Sequence, residues 1–395
     1  MSLRHLLLAL VLCSPLSSFA LSADSIGAPK PKKRLRVEAG IELRSDSAIF
    51  QTPAQAGEPQ SSGFTLDIGI SRLKLMGYAQ TQIDATHTHG QKTDFSFNMT
   101  RLVLMADAQL TRHLSFFLMA DLAATRSDRY LHEYYAQYEY LPRQRVRIGQ
   151  MKVPYTLESL LPPPLLGAVN LNESTRYFAG IAGDPAWGNK VGRDIGILLT
   201  GELLPRRDGH CLLGYSIGVF NGPGLNQKDH NTQKDVAAML TVSPIKGLTL
   251  QTSMWLGTTK AIADGPYGNI LANRNYHRRR YSAGLELQHA PWRLRTEAMW
   301  GSDNGVHSRG FYAEAWYRLW KNLDVVADFD YLDKNTSLHK SQQRTYQNFT
   351  ETCNYLIGLQ YWVWKACRVS VQYVYSDRLA GPNVSQWLTQ FQVAF

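Results

Sequence analysis

Residues 386–395 read QWLTQFQVAF, from Gln386 to Phe395. In an extended chain successive side chains point to opposite faces, so Trp387, Phe391, Val393 and Phe395 share one face and Gln390 and Gln392 the other. Standing alone, such a strand would expose an unpaired edge that invites association with other chains. A closed sheet removes the edge. The stretch therefore reads as the closing strand of a barrel, with its aromatics outward, its glutamines toward water, and its partner near Arg72 to Thr81.

The same alternation fills the chain upstream. Leu102, Leu104, Ala106, Ala108 and Leu110 oppose Arg101, Asp107 and Gln109; Trp292, Leu294, Thr296, Ala298 and Trp300 oppose Arg293, Arg295 and Glu297; Leu323, Val325, Ala327, Phe329 and Tyr331 oppose Asp324, Asp328 and Asp330. Sixteen runs of this kind begin near residues 72, 93, 113, 131, 144, 191, 209, 235, 247, 278, 292, 310, 322, 350, 367 and 385. An even count returns both ends of an antiparallel barrel to one side. The connections also sort by length. LTRH, LPRQ, SPIKG and HAPW alternate with THTHGQK, NGPGLNQKDHNTQ and longer stretches. Short turns on one rim and long loops on the other are the layout of an outer-membrane barrel, with the turns in the periplasm. Trp292, Trp320 and Trp364 fall at the short-turn rim, the level of the lipid headgroups.

Composition agrees. The 395 residues are 19% charged and 11% aromatic, too polar for a bundle of membrane helices and too aromatic for a disordered chain. Residues 1–20 read as a secretory signal, with Arg4 and His5 before an apolar run and small residues Ser18 and Ala20 before the cut. Cys13 raises a lipoprotein reading that the bulky Leu12 before it opposes. Formal net charge is +10, but five of the bases sit in KPKKRLR, Lys30 to Arg36. Behind an export signal this run is either a solvated periplasmic tail or a contact for anionic lipid or cell wall. The expected division is thus a signal at 1–20, a periplasmic segment at 21–71 and a barrel at 72–395. VEAGIEL (Val37 to Leu43) and FTLDIGI (Phe64 to Ile70) also alternate, leaving eighteen strands, or a periplasmic plug, as alternatives to sixteen.

A barrel of sixteen to eighteen strands leaves an aqueous channel. The faces opposite the apolar stripes supply its candidate lining: Lys74, Arg101, Asp107, Asp121, Arg145, Arg147, Arg280, Glu286, Arg293, Arg295, Glu297 and Arg318, with Glu133, Glu139, Glu202, Glu314, Asp324, Asp328 and Asp330 as further acids. Many of these would pair across strands simply to keep the wall soluble. The long connection at 156–190, stiffened by Pro162 to Pro164, is expected to fold inward as a constriction offering Glu158, Glu173, Arg176, Tyr177, Asp184 and Lys190. An exposed surface loop is the alternative. His87 and His89 read as polar loop rather than a metal pair, no catalytic motif appears, and no cofactor is expected. The cysteines left after cleavage, Cys211, Cys353 and Cys367, are too far apart in the strand layout to bridge.

RVRIGQMKVPYTLESL (Arg145 to Leu160), VGRDIGILLTGEL (Val191 to Leu203) and GYSIGVFNGPG (Gly214 to Gly224) resemble the phosphate-selective porin O and P family in order and spacing. The resemblance implies a 16-stranded trimeric channel of the Gram-negative outer membrane whose third loop folds inward. The family's phosphate selectivity rests on an arginine ladder and a lysine cluster, and no such cluster can be matched here residue by residue. Eight candidate bases against eleven acids instead suggest a weakly selective pore for small polar solutes or ions, with phosphate open. A structural or adhesive barrel is the alternative function. The terminal Phe395 resembles the address read by the barrel insertion machinery. The expected partners are therefore that machinery, outer-membrane lipid and further copies of the chain, and no nucleic acid.

Overall fold

The computed structural model describes residues 64–68, 71–124, 130–182, 191–261, 263–344, 351–364 and 366–395. The expected signal, the Lys30 to Arg36 run, the Val37 to Leu43 stretch and the loop residues Asp184 and Lys190 lie outside them. The strands are β1 (Phe64–Ile68), β2 (Ser71–Thr88), β3 (Asp94–Gln109), β4 (Leu114–Asp121), β5 (Leu131–Leu141), β6 (Gln144–Lys152), β7 (Arg193–Pro205), β8 (Cys211–Phe220), β9 (Asp235–Val242), β10 (Leu248–Lys260), β11 (Asn275–His289), β12 (Trp292–Asp303), β13 (Val306–Trp320), β14 (Leu323–Asp333), β15 (Thr352–Trp364), β16 (Cys367–Arg378) and β17 (Val384–Ala394). Each strand from β2 onward pairs antiparallel with the next, and β17 pairs with β2. Sixteen strands thus form a ring without a free edge, as hydrocarbon surroundings require.

The closure differs from the sequence expectation in one respect. β17 pairs with Tyr78–Thr88, not with Arg72 to Thr81. Register is set from the long-loop end, where Val384 meets Thr88, so Phe395 comes to rest opposite Gly77 and exchanges two backbone hydrogen bonds of 2.9 Å with it. Gly77 leaves room for the terminal ring, since a Cβ there would stand 2.6 Å from Phe395 Cζ. Below that point β2 is covered by β1, which pairs Phe64–Ile68 with Ser71–Leu75. The alternating FTLDIGI is therefore a five-residue rim strand and not a further wall strand.

The outward face carries Trp292, Trp320 and Trp364 exposed at the short-turn rim and Trp300 and Trp387 exposed nearer the other. Strand β3 switches its outward parity partway. A register shift at Thr100 puts Phe95, Phe97 and Met99 outward above it and Leu104 outward below it. One extra residue in a strand does this because the side-chain period is two. On the long-loop rim, β12 and β13 are joined by Asn304 and Gly305 alone, both at positive φ, so β13 starts at Val306 rather than near 310. Asn-Gly is the favoured pair for such a tight turn.

Candidate functional site

The long connection leaves β6 at Lys152 and rejoins the wall at β7. Between them lie a short helix α1 (Leu157–Leu160), a single 3-10 turn at Pro163–Leu165 and a second short helix α2 (Glu173–Phe178). Thr156 starts α1 at positive φ, and its Oγ1 accepts the Ser159 amide. The three consecutive prolines cannot donate backbone hydrogen bonds, so this segment depends on its surroundings for partners. It finds them on the inward face of β11–β16.

The contacts run in chain order. The Leu157 amide donates to the Glu297 carboxylate at 3.0 and 3.1 Å, and the Ala168 amide to Glu314 at 2.7 Å. The Val169 amide donates to Gln372 Oε1 at 2.8 Å, and the Glu173 amide to Asp330 Oδ2 at 2.8 Å. In the other direction the Gln372 side chain donates to Gly167 O and Arg368 to Leu166 O, each at 2.8 Å. Arg280 donates to the carbonyls of Tyr177 and Phe178 at 3.1 and 2.7 Å. In a ring of sixteen, β14 is eight strands from β6. A loop that starts at β6 and is held by Asp328 and Asp330 of β14 therefore crosses the interior.

Register explains why carboxylates serve as the receiving groups. Glu286, Arg295, Glu314 and Asp328 stand side by side across β11–β14, three acids in a row with one guanidinium. Arg295 reaches Glu286 at 2.7 Å and Glu314 at 3.3 Å. The unmatched negative charge is met by the loop's amide N–H groups, whose bonds to carboxylates are stronger than neutral ones. Glu158 adds another carboxyl to this cluster from the loop side. It is fully buried and accepts from the Asn172 backbone and side-chain nitrogens, each at 3.3 Å. Burial, then the Glu314 carboxylate, push its pKa up to about 8, so it holds its proton at neutral pH.

All twelve candidate lining residues fall on inward-facing positions, but they divide into two groups. Lys74, Arg101, Asp107, Arg145, Arg293 and Arg318 are half-buried. Asp121, Arg147, Arg280, Glu286, Arg295 and Glu297 are buried. Of the last four, Glu297 and Arg280 bond the loop directly and Glu286 and Arg295 pair with each other beside them, so none borders free water as the alternation suggested. Arg145 pairs with Glu139 and Arg318 with Asp324. Arg101 and Arg147 instead bond side-chain amides, Gln80 at 2.9 Å and Gln137 at 2.8 Å. Of the loop candidates, Glu158 is sealed in, Glu173 pairs with Lys334 at 3.2 Å, Tyr177 is buried with its hydroxyl 3.3 Å from Ser308, and Arg176 is exposed. Gln390 and Gln392 do not face water either. They are buried at the closing seam, where Gln392 bonds Gln80 at 2.9 Å.

Sequence reading passed over three further features. Arg278 and Arg280 both reach Asp303, at 3.2 and 2.7 Å, a pairing that alternation in Arg278–Arg279–Arg280 could have exposed. Arg193 pairs with Glu133 at 2.7 Å, fixing the start of β7. The third is an apolar lining: Tyr78, Val103, Tyr135, Leu198, Trp255 and Tyr312 face inward and pack in one cluster with Tyr155, Tyr177 and Phe178 of the loop. Single apolar residues among polar ones carried no distinct signal.

A closed sixteen-strand antiparallel barrel with a loop held across its interior is the fold of an outer-membrane porin. Solved structures with this fold include an anion-selective porin from Comamonas acidovorans (12% identity, 82% of this chain and 100% of that one, TM-score 0.60). The trimer form of OmpT from Vibrio cholerae is similar at 10% identity over 83% of this chain and 100% of that one, TM-score 0.56. OprB from Pseudomonas putida is similar at 13% identity over 81% and 93%, TM-score 0.59. Residues 74–162 match the family described as phosphate-selective porin O and P. That match includes the Arg145 to Leu160 stretch on which the resemblance was first read, and it bears the resemblance out there. No curated protein matches the sequence.

Proposed function

We propose that the chain forms an outer-membrane porin, a channel rather than an enzyme, for passive diffusion of small hydrophilic solutes or ions, with residues 153–182 as its constriction. The observation that carries this is the loop tied by backbone and side-chain bonds to the wall eight strands away, which narrows the bore without closing the ring.

The charge pattern favours anions, phosphate among them. Most acids of the wall are consumed: Glu133, Glu139, Glu286, Glu314 and Asp324 by arginines, and Glu297 and Asp330 by loop amides. Half-buried Arg101 and exposed Arg176 have no carboxylate partner among the described residues. What remains accessible to a solute is therefore more basic than the count of eight bases against eleven acids implies, and a basic lining attracts anions. The similarity to the trimeric form of OmpT supports a homotrimer, and the seating of Phe395 against Gly77 supports recognition of the last strand during assembly. A structural barrel without transport is the second reading, favoured by the apolar packing between loop and wall.

Planar-bilayer recording separates the two. A porin gives unitary conductance steps, an anion-directed reversal potential in a salt gradient, and block by phosphate if phosphate is a preferred solute. Stable insertion without steps would leave only the structural barrel.

A further inference from the structure

The lipid-facing side of β11–β14 carries cations where a barrel wall is otherwise apolar. Arg279 is exposed, the fifth residue of β11 from the long-loop end, with exposed His277 above it. Arg309, the fourth residue of β13, is exposed beneath exposed His307. The register places Arg279 beside Ser302 and His307, and Arg309 beside Trp300. The two arginines are therefore two strands apart, roughly 10 Å across the sheet, with one residue pair of offset. Side chains of arginine length span that gap around a single anion.

Each cation is available to an external ligand. Arg279 has no hydrogen bond or ion pair among the described residues. The Arg309 guanidinium donates to the Tyr331 hydroxyl at 3.1 Å and lies 3.5 Å from the carboxylate of Asp333, both through one terminal nitrogen, yet its side chain stays 60% exposed. A groove lined by Arg309, Gly310, Phe311 and Tyr331 opens beside it. Beside Arg309 and below it the surface turns aromatic: Tyr281 stacks on Trp300 at 6.2 Å, and Phe311, Phe329 and Tyr355 follow in a ladder. Cationic groups at headgroup height above an aromatic, acyl-compatible wall match an amphiphile with a phosphorylated head.

We propose that this patch is a binding site for an anionic, phosphate-bearing lipid of the outer leaflet, its phosphate held between Arg279 and Arg309 and its chain laid over Trp300 and Phe311. The assignment rests on the membrane-barrel reading, since it takes the long-loop rim as the outer one. Two cations near a lipid surface contribute roughly fivefold each, so about a twenty-five-fold preference for phosphate monoester over zwitterionic heads is expected.

The test is native mass spectrometry of the detergent-purified barrel with phosphatidic acid or phosphatidylcholine of the same acyl chains. The wild type should retain phosphatidic acid preferentially, excess inorganic phosphate should not displace it, and the Arg279→Gln/Arg309→Gln double variant should lose the preference. Equal retention of both lipids by the wild type overturns the proposal, as does an unchanged preference in the double variant. Displacement by inorganic phosphate would make this an ion site and overturn the lipid assignment. Should the double variant fail to assemble, quenching by brominated phosphatidic acid against brominated phosphatidylcholine, compared between wild type and Trp300→Phe, decides alone. Failure of the wild type to insert into any bilayer would instead refute the membrane reading itself.

Discussion

Glu158→Gln isolates the contribution of a proton buried with the 153–182 loop. In the docked loop the Glu158 pKa stands at about 8, against 4.5 for a free glutamate side chain. A raised folded-state value means that docking is fully stabilised below the undocked value and weakens as pH climbs toward the docked one. The loss is about 1.4 kcal/mol per pH unit inside that window, hence on the order of 3 kcal/mol between pH 5 and 7.5. Glutamine is neutral throughout and keeps an oxygen for the Asn172 nitrogens, so it removes the slope without removing the contact. Hydrogen exchange of peptides covering residues 156–178, corrected for intrinsic exchange chemistry, reads the opening free energy locally. Wild-type protection relative to Glu158→Gln should fall by roughly 200-fold across that pH range. A ratio that stays within about threefold would refute the claim that a buried neutral Glu158 stabilises the loop.

Other perturbations probe the same geometry. Gly167→Ala would set a Cβ 1.9 Å from Trp316 Nε1, so the loop tip must lift off at a cost of about 1–3 kcal/mol. Single-channel conductance should rise and become noisier, and an unchanged trace would mean that the tip does not limit flow. Arg101→Glu reverses a cation bonded only to Gln80 and should move the reversal potential toward cations; no shift would remove Arg101 from the conduction path. Deleting Phe395 should leave export intact but lower the amount of heat-modifiable, assembled barrel. Normal assembly would count against the closing role of the terminal ring.

The wall was legible because lipid on one side and polar surroundings on the other impose a two-residue period on every strand. That period located the starts of β5, β6, β9, β12 and β16 to the residue. It misplaced β13 because Asn304 and Gly305 make a tight turn on the rim where long loops were expected. It also missed the parity change at Thr100, since a bulge leaves composition untouched and only rotates the faces.

The interior was less legible, because alternation tells which way a side chain points and nothing of what it meets there. Alternation put Glu297 on the inner face but gave no sign of its partner, the amide of Leu157, 140 residues away in sequence; Gln372, which the sequence reading did not single out, meets the amide of Val169, 203 residues away. Charge counting failed for the same reason. An acid whose lone pairs are taken by loop N–H groups is still an acid in the sum, but a solute no longer meets it. Selectivity therefore depends on which charges the loop leaves uncovered. The covered set lies on β11–β14, whereas the half-buried Arg101 lies on β3. On the proposed channel reading, a lining that counts as nearly balanced in sequence becomes uneven in space, and the loop that would narrow the channel would also set the sign of the field within it.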